Sequence, residues 1–286
     1  MSGTGLKLGK LSRLWSGLAA ATFAVVIISL GGWWFTLSLG VIVHLALLEF
    51  FRLAQFKGIR PAIKTTLVAC QLLLIITQLA PGSALAAAVL PLAGSAICGW
   101  LLLQPVTGSI ADIAASIFGL FYLGFLPSHW VRLWDLSAAW VSPHWPGHGG
   151  LAVTFLAFAL IWAADCGSFL WGKRFGRTRL SEVSPGKTVE GALAGVVATV
   201  LTGACGGWLL GWPLGPLLGG VLGGLVALFA LVGDLTESMM KRDAGVKDSG
   251  ALIPGHGGIL DRVDSYLFTP AVVFYSVTLV LPLLGS

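Results

Sequence analysis

Residues 214–264 read LGPLLGGVLGGLVALFALVGDLTESMMKRDAGVKDSGALIPGHGGILDRVD. The first 20 of them, 214–233, carry no charge, and about 20 apolar residues in a helix are enough to cross a bilayer. Charge then returns abruptly. Lys241, Arg242, Asp243, Lys247, Asp248, Asp261, Arg262 and Asp264 crowd into residues 238–264, with His256 in a Pro-Gly-His-Gly-Gly turn. Only 10% of the chain is charged, against about 25% in a soluble domain, so this concentration is not there for solubility. The stretch reads as a membrane span that runs out into a polar loop built for metal-dependent phosphate chemistry at a membrane surface.

The rest of the 286 residues extends the apolar part of that pattern, with 56% hydrophobic residues and a mean hydropathy of +0.91. The predicted fold is all-α: a polytopic integral membrane protein with about nine transmembrane helices. The expected spans lie near 14–30, 33–51, 65–80, 84–103, 109–126, 151–172, 191–212, 214–240 and 265–284. The first follows Lys7, Lys10 and Arg13 as a signal peptide would. It is longer than a usual signal core and leads straight into more apolar sequence, so an uncleaved span is expected.

Basic residues sort with that count. With the N-terminus cytoplasmic, the cytoplasmic segments hold Lys7, Lys10, Arg13, Arg52, Lys57, Arg60, Lys64, Lys173, Arg174, Arg177, Arg179, Lys187, Lys241, Arg242, Lys247 and Arg262, which is 16 of the 17 Lys and Arg. Arg132 alone falls outside. Such a bias orients the protein with its C-terminus outside and its charged loops in the cytoplasm, in a membrane of the bacterial inner type. The net charge of +5 then belongs beside anionic lipid, not on nucleic acid. Residues 1–150 supply about five spans and a Trp-rich outer loop, and residues 151–286 supply about four spans and the catalytic region.

Cys70, Cys98, Cys166 and Cys205 are isolated in apolar runs, without disulfide or metal spacing. The outer loop 127–150 carries His129, His144 and His148 among tryptophans, and reads as an interfacial aromatic belt in preference to a metal cluster. Glycines at 191/195, 219/223 and 220/224 recur at i,i+4, a spacing that lets helices approach closely.

Nine of the twelve acidic residues lie from Asp165 onward. Asp165, Asp234 and Glu237 sit within or at the ends of apolar helices, where an unpaired carboxylate costs several kcal/mol. A structural ion pair is the plain alternative to a functional role. Asp234 and Glu237 are i,i+3 and share a helix face, and Asp261 and Asp264 repeat the spacing. Two carboxylate pairs meeting at one membrane face suit a hard cation with oxygen ligands, Mg²⁺ above all, whose site keeps waters and takes substrate phosphates. Lys241, Arg242, Lys247, Arg262 and the 173–187 cluster can neutralise polyphosphate, although each also serves as a positive-inside anchor. Gly257 and Gly258 give the turn the freedom to aim N–H groups at an anion, and His256 is a proton or phosphate contact or a hydrogen-bonded structural residue.

Read as Ser-x-x-Lys-Arg-x4-Lys-Asp-x-Gly-x2-Ile-Pro-x-His-Gly-Gly-x-x-Asp-Arg-x-Asp, residues 238–264 resemble the signature of the phosphatidate cytidylyltransferases, or CDP-diacylglycerol synthases. Two further segments agree: Ser184-Pro185-Gly186-Lys187-Thr188-Val189-Glu190-Gly191, and Trp162-Ala163-Ala164-Asp165 with the Gly-Lys-x-Phe-Gly-Arg run at 172–177. Phe169 stands where the family more often has Tyr. The likeness covers about 160–285, and the earlier residues match in hydropathy alone.

The resemblance implies transfer of the cytidylyl group of CTP to phosphatidic acid, giving CDP-diacylglycerol and pyrophosphate, with Mg²⁺ and room for a second, monovalent cation such as K⁺. It implies metal roles for Asp234, Asp261 and Asp264. Lys241, Arg242, Lys247, Asp248 and His256 are the expected catalytic residues. Asp165, Lys187, Thr188, Glu190, Glu237, Ser238, Gly257, Gly258 and Arg262 are the expected substrate contacts. The expected partners are CTP, phosphatidic acid and the bilayer; a homodimer is left open. A CTP-dependent polyprenol-type kinase is the enzymatic rival, and an ion-coupled transporter the rival from another class. The transporter leaves the basic, glycine-rich loop unexplained, and no inverted repeat is visible.

Overall fold

The computed structural model describes residue 17 and residues 19–252 and 257–284, and among these the regular structure is helical, apart from one isolated β-bridge between Arg179 and Thr188. In chain order the helices are α1 (Ala19–Leu30), α2 (Gly32–Phe56), α3 (Ile63–Leu79), α4 (Ala84–Leu102), α5 (Ile110–Trp134), α6 (Gly149–Phe175), α7 (Val189–Leu210), α8 (Gly215–Asp243) and α9 (Leu260–Leu284). A π-helical turn interrupts α5 at Phe121–Phe125 and α9 at Ser276–Val280. Among the described residues seven of these helices are long and apolar enough to cross a membrane, while α1 and α3 are apolar but shorter. Each predicted span thus coincides with an apolar helix. Lys7, Lys10, Arg13 and Ser286 lie outside the described residues.

Lipid offers no hydrophobic drive for helices to associate, so they pair where small residues let backbones close in. On α7 the buried stripe is Gly191, Gly195, Thr199, Gly203 and Gly207, while Leu193, Val197, Leu201 and Trp208 face outward. A Cβ on Gly203 would overlap the Gly219 carbonyl of α8, and one on Gly191 would press on Ser168 and Gly172 of α6. Helices α6, α7 and α8 therefore pack as a tight trio.

Two apolar clusters hold the molecule together, and each draws on both halves of the chain. One joins α2–α5 to Leu260 and Leu267 of α9. The other joins Trp130 and Leu133 of α5 to Val153 and Leu160 of α6, Val226 of α8 and Val273 of α9.

Side-chain contacts sort the loops to two ends. At one end Lys57 meets Asp243 at 3.2 Å, the Arg60 amide donates to Asp112, and Arg242 donates to the Val183 carbonyl. At the other, Trp134 donates to the Ile28 carbonyl, Trp212 to Val141, and Trp145 to Leu209. The three basic loops after α2, α6 and α8 share one end, and Trp134, Trp145 and Trp212 gather at the other. His129, expected in an outer loop, is instead buried in α5 against Phe125, Phe274 and Tyr275, while His144 bonds to the Leu209 carbonyl.

Candidate active site at the basic end

Helix α8 supplies the first two carboxylates. With 29 residues it is about 43 Å long at 1.5 Å per residue, well beyond a bilayer core of about 30 Å. Its apolar run ends at Gly233, and Asp234, Glu237, Lys241 and Arg242 follow in its last turns. Gly233 fixes what faces them: a Cβ there would overlap the Asp264 carbonyl. Its absence lets the first turn of α9 lie against α8 beside Asp234.

The polar residues form two adjoining clusters. In the first, Lys187 Nζ lies 2.5 Å from Asp234 Oδ2, and Asp264 is within electrostatic reach of Asp234, Asp165 and Lys187. Ser238 Oγ donates weakly to Asp234 Oδ1 at 3.4 Å, and the Ser265 amide donates to Asp264 at 2.7 Å. A cavity of about 460 Å³ opens here between α6, α7 and α8. Its lining includes the polar Asp165, Ser168, Lys187, Thr188 and Asp234 and the apolar Ala164, Phe169, Ala227, Ala230 and Leu231.

The second cluster is more buried. Lys241 Nζ bridges Glu237 at 2.8 Å and Asp261 at 2.6 Å, with side chains 12%, 1% and 9% exposed respectively. The ammonium sits between the two carboxylates, and Glu237 Oε1 is buried without a hydrogen-bond partner. Asp261 Oδ2 also accepts from the amides of Ser249 and Gly258 and from the Ser249 hydroxyl, at 2.8–2.9 Å.

The predicted residues thus take distinct places. Asp165, Lys187, Thr188 and Asp234 line the cavity, with Asp264 in electrostatic reach; Glu237, Lys241 and Asp261 form the buried bridge. Thr188 also caps α7, accepting from the Gly191 amide. Glu190 does not line the cavity: its carboxylate accepts from the amides of Arg177 and Thr178 and from the Thr178 hydroxyl, tying the 176–180 loop to α7. Arg242 joins two loops through the Val183 and Val246 carbonyls. Lys247 and Asp248 are exposed, and Arg262 lies in the first turn of α9. Gly257 takes a φ of 81°, which glycine alone adopts freely, and the anion that the Gly258 amide faces is the protein's own Asp261. His256 lies outside the described residues.

Among the described residues no three Asp, Glu, His or Cys side chains stand close enough to form a ready metal cluster. Asp165 and Asp264 lie in electrostatic reach of Asp234 and Lys187, and carboxylate oxygens are the donors that a hard ion such as Mg²⁺ takes.

Sequence reading passed over two acids that the structure puts to use. Asp112 makes a capping box with Ser109 at the start of α5 and holds the Arg60 amide of the neighbouring loop. Glu49, 4% exposed in α2, accepts from the amides of Ile259 and Leu260 and from the Ser249 hydroxyl. The rule that singled out Asp165, an acid inside an apolar run, applies equally to Glu49 in Leu47-Leu48-Glu49-Phe50-Phe51.

Comparison with known proteins agrees with this geometry. Residues 11–280 match the model of the cytidylyltransferase family. A phosphatidate cytidylyltransferase of Synechocystis sp. is 49% identical over 96% of this chain and 98% of its own length. The chloroplastic phosphatidate cytidylyltransferase 4 of Arabidopsis thaliana is 38% identical over 89% of this chain and 70% of its own. The similarity runs through α1–α5 as well as the C-terminal motifs, and the chain belongs to the cytidylyltransferase family.

Proposed function

We propose that this chain transfers the cytidylyl group of CTP to phosphatidic acid, forming CDP-diacylglycerol and pyrophosphate. The observation that carries the reading is the two-natured lining of the cavity, which mixes lysine, threonine and carboxylates with alanine, leucine and phenylalanine. A phosphate on a lipid tail presents that pair of surfaces, and relatives named for this activity cover nearly the whole chain.

A lipid phosphate oxygen attacks the α-phosphorus of CTP, and the bond to the pyrophosphate oxygen breaks. The nucleophile is already anionic at neutral pH, so no strong base is needed. What remains is to hold two polyanions together and to neutralise charge on the leaving group. Lys187, at the cavity wall, suits the lipid phosphate, and the exposed Lys247, with Arg242 and Arg262 at the same end of the helices, suits the triphosphate. Asp234 and Asp264, with Asp165 nearby, would hold Mg²⁺, which would supply charge neutralisation at the pyrophosphate; Asp261, expected as a third ligand, instead has its oxygens engaged by Lys241, Ser249 and Gly258. A second, monovalent cation would find an oxygen ligand in the unpartnered Glu237 Oε1.

We read the basic end as cytoplasmic, the nine apolar helices as nine spans, and residues 151–286 as the catalytic region supported by residues 1–150. CTP then enters from water while acyl chains stay in lipid. Purified protein in detergent should release pyrophosphate from CTP when phosphatidic acid is present, stop when the divalent cation is chelated, and resume when Mg²⁺ is restored. Asp264→Asn should abolish turnover in a folded protein. Release of CDP with a prenol in place of phosphatidic acid would assign the rival kinase activity, and full activity in chelator would remove the metal.

A further inference from the structure

The loop that carries the signature is wound around two carboxylates. One, Asp261, belongs to the motif. The other, Glu49, lies 211 positions before Leu260 and reaches the loop from α2. Its Oε2 accepts the Leu260 amide at 2.8 Å and the Ser249 hydroxyl at 3.1 Å, and its Oε1 accepts the Ile259 amide at 3.1 Å. Ser249 Oγ also lies 2.9 Å from Asp261 Oδ2, so one hydroxyl proton serves two carboxylates in turn. A Cβ on Gly250 or on Gly258 would overlap the Glu49 carboxylate, which is therefore the object the loop closes upon.

The amides of Ile259 and Leu260 are among the first N–H groups of α9, which no intrahelical carbonyl can satisfy. An anion at that point also complements the helix dipole. Glu49 thus caps α9 from another helix and sets the height and rotation at which α9 begins. Asp261 and Asp264 lie in the turn that follows.

We propose that Glu49 is a positioning residue for cytidylyl transfer: by holding Ser249, Ile259 and Leu260 it sets Asp261, Lys241 and Asp264 in register with Asp234 across the site. It touches neither substrate nor reacting atoms in this role. The inference rests on the site assignment above, and its consequence is specific. Glutamine at this position keeps the volume but turns an N–H₂ toward amides that need an acceptor, so the loop shifts while the helices stay packed. A small misplacement of groups that act only in the transition state lowers kcat and leaves KM nearly unchanged.

The experiment measures kcat, KM for CTP, KM for phosphatidic acid and thermal unfolding in detergent for full-length Glu49→Gln, Gly250→Ala and Asp264→Asn. Glu49→Gln should lose about 10- to 100-fold in kcat, with both KM values within about twofold of the parent and unfolding little changed. Gly250→Ala crowds the same contact from the loop side and should show the same split, which keeps the test decisive where Glu49→Gln does not fold. Parental kcat in either folded variant, or activity lost only in proportion to folded protein, overturns the role of Glu49. Asp264→Asn separates the two readings: if it stays active the site assignment itself falls, and if it is dead while Glu49→Gln is fully active only the positioning role falls.

Discussion

At the scale of single residues, the two lysines of the site sit in unlike surroundings and should fail in unlike ways. Lys241 is 12% exposed between carboxylates that are 1% and 9% exposed, so removing it breaks a buried charge-assisted bridge, a defect that costs about 3–5 kcal/mol. Lys187 and Asp234 have side chains 30% and 25% exposed, and water screens their pair to about 0–1 kcal/mol. Lys241→Ala should therefore lower thermal stability strongly and abolish activity, whereas Lys187→Ala should keep the parental unfolding midpoint and lose about two orders of magnitude in kcat/KM, the share of one charge-assisted phosphate contact in a dry site. Unfolding midpoints and pyrophosphate release on the two purified variants check this. A destabilised but active Lys241→Ala would reduce the bridge to a structural feature. These roles were only half legible beforehand. The i,i+3 pairs Asp234/Glu237 and Asp261/Asp264 announced carboxylates on shared faces, but which lysine each one meets depends on helices that approach from elsewhere in the chain.

At the scale of helices, small residues decide which backbones approach. Gly233 and Gly224 both lie on α8, yet a Cβ at Gly233 would strike the Asp264 carbonyl, while one at Gly224 would make an ordinary 3.7 Å contact with Val200. Gly233→Val should push α9 away from Asp234 and cost at least about tenfold in kcat, with destabilisation of about 1–3 kcal/mol from overpacking. Gly224→Val should leave both close to the parent. Equal effects of the two substitutions, measured by pyrophosphate release and thermal unfolding, would deny Gly233 its place in the site. The i,i+4 glycine spacing told that this part of the chain packs closely; it did not tell that α7 would insert between α6 and α8, because glycine marks a close approach without naming the partner.

At the scale of the whole molecule, the contacts gather the basic loops at one end and the tryptophan-rich segment 134–148 at the other. In an otherwise cysteine-free chain, His148→Cys should react with an impermeant thiol reagent on intact cells. Lys247→Cys should react only once the membrane is opened. The reverse pattern would invert the orientation and place the site on the far side from cellular CTP.

The sequence alone determined a helical protein with apolar helices of membrane-spanning length and its family, because these depend on local properties: apolar length and short-range motif. Tertiary structure decided the rest. It gave the Gly258 amide to Asp261 and Glu190 to a neighbouring loop, and it set a carboxylate from α2 beneath the signature loop. Glu49 could be noticed in the sequence as an acid in an apolar run, but its partners could not, since a hydrogen bond across 211 positions is set by how helices pack and leaves no periodicity to read.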